Sequence, residues 1–204
     1  EYHKLSIVQN VNEDETDYED LYVKLEMRNE FKPVHMNINK LIEGSTTPIN
    51  GAEFELYQTD GSGLEIGTPV AKGISGANEA DEEKGMLTFY SVNENGEYLL
   101  VEGEKVIHPI GEPDSFIHTD SEENANYAEY KIVESQSPEG FKEPSENDTW
   151  ILRLYDNETG IIQLRRTGEA NWQYLTHSTD EEGRLWVAFT AYNTFDYREI
   201  RVRK

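Results

Sequence analysis

Residues 34–58 read VHMNINKLIEGSTTPINGAEFELYQ, and the spacing of apolar positions within them decides the fold class. From Val34 to Leu41, Met36, Ile38 and Lys40 fall on one face and His35, Asn37 and Asn39 on the other. That is the two-residue period of a strand. Lys40 therefore points to the same side as two apolar residues. Pro48 and Asn50-Gly51 mark a turn, after which Ala52, Phe54 and Leu56 alternate with Glu53, Glu55 and Tyr57.

The same grammar extends outward. Met86 to Ser91 and Glu97 to Glu102 predict a hairpin across Asn93-Glu94-Asn95-Gly96. Residues 103–126 are polar, carry Pro109, Pro113 and a run of acids, and read as an insertion on the edge of the domain. Ala128 to Glu134 predicts a strand with Tyr130, Ile132 and Glu134 on one face, ended by the turn Ser137-Pro138-Glu139-Gly140. Trp150 to Tyr155 and Ile161 to Arg166 predict a second hairpin, and Trp172 to Leu175 and Leu185 to Asn193 two further strands. From residue 34 onward no segment keeps a 3.6-residue apolar period long enough to predict a helix. Many short strands between Gly, Asn and Pro turns imply an all-β, Ig-like β-sandwich with insertions.

A spacing also occurs twice. Leu21, Val23, Leu25 and Met27 lead to Asn29, with Lys40 eleven residues later; Leu185, Val187, Phe189 and Ala191 lead to Asn193, with Lys204 eleven residues later. At an offset of 164 the two stretches also align Phe31 with Phe195, Met36 with Ile200 and Ile38 with Val202. A fixed-offset recurrence signals an array of repeated domains. The expected organisation is residues 1–33 as the closing strands of a preceding module, and residues 34–204 as a complete module ending on the first strand of the next.

Composition narrows the function. A net charge of −23 argues against nucleic acid and anionic membrane surfaces, and no apolar run is long enough to span a bilayer. Without cysteine there are neither disulfides nor thiolate metal sites. The acidic run Glu13 to Asp20 lacks the spacing of a calcium loop and reads as a solvated loop, and the five histidines show no metal-binding spacing. No phosphate-binding loop or nucleophile motif occurs, so no cofactor is implied. Trp150, Trp172 and Trp186 could form a sugar-stacking platform, although Trp150 and Trp186 sit within strand patterns and read as core.

Asn39-Lys40 followed by Pro48-Ile49-Asn50-Gly51-Ala52-Glu53-Phe54-Glu55-Leu56-Tyr57 resembles the opening of the Cna B-type (SpaA-like) domains of Gram-positive pilins and surface adhesins. Gly85 to Phe89 and Gly96 to Leu100 resemble that family's next hairpin. Tyr130-Lys131-Ile132-Val133-Glu134-Ser135-Gln136-Ser137-Pro138-Glu139-Gly140-Phe141 is similar to its E-box, "YxLxEtxAPxGY". Ala191-Tyr192-Asn193-Thr194 looks like its asparagine-bearing last strand. The module is longer than typical members, and residues 103–127 are foreign to the pattern.

The resemblance implies a self-made isopeptide bond from Lys40 to Asn193, with release of ammonia and Glu134 as proton relay. Glu102 is the alternative relay, because Tyr98 to Glu102 has the same Y-x-L-x-E shape. By the same resemblance Asn29 and Lys204 are the equivalent positions of neighbouring repeats. The chemistry is coherent: burial disfavours a lysine cation, and a neutral amine is a nucleophile. A buried glutamic acid can polarise an amide carbonyl and move protons. Taken singly, a lysine on a strand face usually snorkels at an edge, and an asparagine after a strand usually forms a turn.

The implied role is a structural stalk repeat of an extracellular, cell-wall-anchored adhesin or pilin, with adjacent repeats as partners and no catalytic turnover. Alternatives are a module binding a host protein or glycan, or an accessory β-sandwich of a secreted carbohydrate-active enzyme.

Overall fold

The computed structural model describes residues 4–7, 23–26, 33–77, 84–112, 115–122, 125–146, 148–156 and 161–196. Asn29, Lys204 and the acidic run at 13–20 lie outside the described residues. The chain divides into two compact units, Glu1–Phe31 and Lys32–Lys204. In the first, β1 (Lys4–Ile7) pairs antiparallel with β2 (Val23–Glu26), Leu5 opposite Leu25.

The second unit is a β-sandwich, and no α-helix occurs among the described residues. Its first strand, β3 (Val34–Ile42), buries Val34, Met36, Ile38 and Lys40 and leaves the alternate positions half-buried. The next, β4 (Glu53–Gln58), buries Phe54 and Leu56. These two strands belong to opposite sheets. The larger sheet runs β14 (Gln173–Tyr174), β13 (Ile162–Arg166), β12 (Thr149–Tyr155), β11 (Ala125–Gln136), β4, β5 (Ala71–Ile74), β7 (Tyr90–Ser91), with β10 (His118–Asp120) also on β11. The smaller runs β15 (His177–Thr179), β16 (Leu185–Asn193), β3, β6 (Met86–Thr88).

Among the described residues, the ladders of the sandwich are antiparallel except one: β16 lies parallel to β3. The inner faces interlock through Trp150, whose ring centroid lies 6.2 Å from that of Phe54 and 5.4 Å from that of Phe189. Burying an aromatic or aliphatic side chain of this size contributes about 1.5–3 kcal/mol.

Two expectations need correction. The turn at Asn93 to Gly96 forms, with Asn93 N donating to Glu97 O at 2.9 Å, and Val92 bridges Tyr98. The returning arm then leaves the hairpin. Leu100 and Val101 form β8 (Leu100–Val101), which pairs forward with β9 (Glu104–Lys105). Glu102 and Gly103 both have positive φ, 54° and 90°, the geometry of a tight two-residue hairpin turn.

Residues 103–126 are also more than an edge insertion. Val106 O accepts from Ser91 N, His108 N donates to Phe89 O, and Ile110 exchanges backbone hydrogen bonds with Val34 at 2.9 and 2.7 Å. Ile110 is 0% exposed. Ladder bonds are made by the backbone, so a largely polar segment can still complete a core through Ile110.

Candidate functional site

Lys40 reaches the site because the alternation of β3 aims it between the sheets, and its backbone is fixed on both sides. Lys40 N donates to Gly85 O and Ile49 N donates to Lys40 O, each at 2.8 Å. Gly85 has φ +58°, and a Cβ there would run into the Lys40 carbonyl, so glycine suits this crossing. The Lys40 side chain is 0% exposed, its Nζ 5.2 Å from the Phe54 ring centroid.

Glu134, near the end of β11 and opposite Phe54 of β4, is 3% exposed. Asn193, the last residue of β16, is 8% exposed. Its strand lies beside β3 with Ala191 opposite Lys40 and Asn193 opposite Ile42. Lys40 Nζ donates to Glu134 Oε2 and to Asn193 Oδ1, both at 2.6 Å. Asn193 Nδ2 donates to Glu134 Oε1 at 2.6 Å and to Ser137 Oγ at 2.8 Å. The structure thus brings together Lys40, Glu134 and Asn193. Glu102, on its exposed turn, is not among them.

Burial pushes the Lys40 amine below its ordinary value, against the opposing attraction of Glu134. The arrangement can move a proton: Oε2 touches the amine and Oε1 touches the amide nitrogen. Ser137 is the contact that sequence reasoning missed. Its position in the turn after β11 was legible, but its inward direction was not.

Beyond Asn193, residues 140–142 pair with 194–196. Phe141 bridges and stacks on Phe195, ring centroids 4.8 Å apart, and Lys142 N donates to Thr194 O at 3.0 Å. A cleft of about 860 Å³ is lined by Trp150, Ala191 and Asn193 and by the Asp148–Arg166 ion pair, 2.6 Å across.

The tryptophans have separate roles. Trp150 is core, whereas Trp186 is half-buried beside His35 with its Nε1 donating to Asp180 Oδ2 at 2.8 Å. The guanidiniums of Arg153 and Arg165 both lie over Trp172, at 4.6 and 4.5 Å. Among the described residues no group of three or more His, Asp or Glu could hold a metal ion.

Comparison with known proteins places a SpaA family match, described as a prealbumin-like fold domain, on residues 34–107. That span holds Lys40; Glu134 and Asn193 lie beyond it. No curated protein matches the chain. Among solved structures, the Bacillus anthracis TIE protein aligns with 16% identity and a TM-score of 0.38 over 95% of this chain. The alignment covers 25% of that structure's length.

Proposed function

We propose, from the premise that this chain carries a SpaA prealbumin-like fold domain over residues 34–107, that the folded domain joins Lys40 to Asn193 by an isopeptide bond. The observation that carries this reading is the buried Lys40 Nζ, 2.6 Å from both Glu134 Oε2 and Asn193 Oδ1. Nζ first gives a proton to Glu134, which removes two opposite charges from an apolar site where they are expensive to keep. The neutral amine then attacks Asn193 Cγ. As the Nζ–Cγ bond forms, Nζ loses a second proton to Glu134 while the carboxyl delivers its first to Nδ2 on the Oε1 side. The Cγ–Nδ2 bond breaks, ammonia leaves, and Glu134 remains protonated against the new amide. The cleft beside Asn193 offers the ammonia a way out.

The reaction runs once per chain, so the domain is a structural element rather than a turnover enzyme. It serves as a stalk repeat in a Gram-positive, cell-wall-anchored surface protein, with neighbouring repeats as partners. In an extracellular protein without cysteine, the bond does the work of a disulfide. Intact-mass measurement tests this. The purified protein should be lighter than its sequence by one ammonia, and a tryptic digest should hold a branched peptide joining Lys40 to Asn193. A mass equal to that of the sequence overturns the reading.

A further inference from the structure

Ser137 is 6% exposed and faces the same interior as Glu134, three residues before it. Strict alternation would turn residue 136 inward. The register of β11 on β4 shifts between Glu134 and Gln136, and this bulge leaves Gln136 exposed and Ser137 buried. The Ser137 hydroxyl donates to Glu134 Oε1 at 3.0 Å and accepts from Asn193 Nδ2 at 2.8 Å.

We infer that Ser137 is a further catalytic residue of the cross-linking reaction, its hydroxyl holding the leaving nitrogen of Asn193 against the Glu134 carboxyl. The inference rests on the isopeptide reading. An asparagine amide has two N–H donors and one acceptor oxygen. Here Nδ2 donates to Glu134 Oε1 and to Ser137 Oγ, which leaves Oδ1 to face the Lys40 amine. The flipped amide would set N–H against the lysine's N–H and oxygen against the carboxylate. When the Cγ–Nδ2 bond breaks, Nδ2 must gain a proton. Ser137 keeps that nitrogen on Oε1, the atom that supplies it. Proximity of this kind speeds a step without altering its products.

The test follows ammonia loss by intact mass after a pulse of cell-free synthesis, in wild type, Ser137→Ala and Ser137→Thr. Loss of one hydrogen bond to a reacting, charge-developing group should slow Ser137→Ala roughly ten- to hundred-fold. Ser137→Thr retains the hydroxyl and should recover most of the rate. Equal rates in wild type and Ser137→Ala overturn the inference alone, as does a Ser137→Thr protein as slow as Ser137→Ala. A wild type that never loses ammonia overturns the isopeptide reading and this inference with it. A structural contribution is measured separately in a Lys40→Met background, which cannot link. There Ser137→Ala should lower the denaturant midpoint only by the small shift of a lost buried hydrogen bond, and a fall large enough to leave the chain partly unfolded under the assay conditions would assign the slowing to folding and overturn the catalytic role.

Discussion

Lys40 and Asn193 are 153 residues apart in the chain, yet Lys40 Nζ lies 2.6 Å from Asn193 Oδ1. The cause is the parallel pairing of β16 with β3, in which Ala191 sits opposite Lys40 and Asn193 follows two residues further along the same face. Parallel neighbours at the two ends of a domain have a mechanical consequence. Tension applied before Val34 and after Asn193 pulls the two strands past each other in shear. A covalent link between Lys40 and Asn193 would carry that tension directly and leave residues 41–192 outside the force path.

Glu134→Ala should give a folded domain in which Lys40 and Asn193 keep their full mass. The sheets' apolar packing is untouched, so the stability lost is that of the cross-link together with the cost of leaving Lys40 buried without Glu134. By analogy with a disulfide closing a long loop, the cross-link's share is on the order of 4–5 kcal/mol, less any strain in the native bond. Intact mass and guanidinium unfolding read both effects.

Glu102→Ala should leave the bond formed and the stability within about 0.5 kcal/mol of wild type, because Glu102 is exposed on its own turn. Loss of the bond in this variant with retention in Glu134→Ala would reverse the assignment of the proton relay.

Ile110→Ala should destabilise the domain by about 2–5 kcal/mol, the usual range for truncating a fully buried aliphatic side chain. Ile117, in the same polar stretch, is 58% exposed, and Ile117→Ala should be nearly neutral. Equal effects in chemical denaturation would show that residues 103–126 do not complete the core.

His108 should make the domain sensitive to acid. Burial, with a smaller contribution from His35, pushes its imidazole down to about 4, from 6.5. Its Nδ1 lies 2.9 Å from Ser91 Oγ, and its Nε2 has no hydrogen-bond partner among the described residues. A depressed folded-state value means that the unfolded chain binds the proton first. The stabilisation is therefore complete above pH 6.5 and lost as pH falls through about 4. Its ceiling is about 3 kcal/mol. Unfolding midpoints measured across that window should fall less steeply in His108→Asn than in wild type; parallel slopes would exclude His108 as the source.

Much of the fold was legible because strand periodicity is local. Successive side chains alternate whatever the partner strand, so Met36, Ile38 and Lys40 announced a buried face, as did Phe54 with Leu56 and Tyr130 with Ile132. Glu134 shared the last of these faces and is buried there. What alternation could not supply was the end of each ladder. The hairpin arm read as Glu97 to Glu102 breaks at Leu100, where a two-residue turn redirects the chain into β9.

The sequence by itself determined which residues face inward along each strand, including a lysine among apolar neighbours, because the pleat of one chain sets that pattern. Tertiary structure decided which of two similar glutamates meets the lysine, how Ile110 enters the core, and that Ser137 rather than Gln136 turns inward. Each of these depends on register between distant strands. Register follows from the summed pairing and burial of whole sheets, and a one-residue bulge reverses the facing of every side chain beyond it.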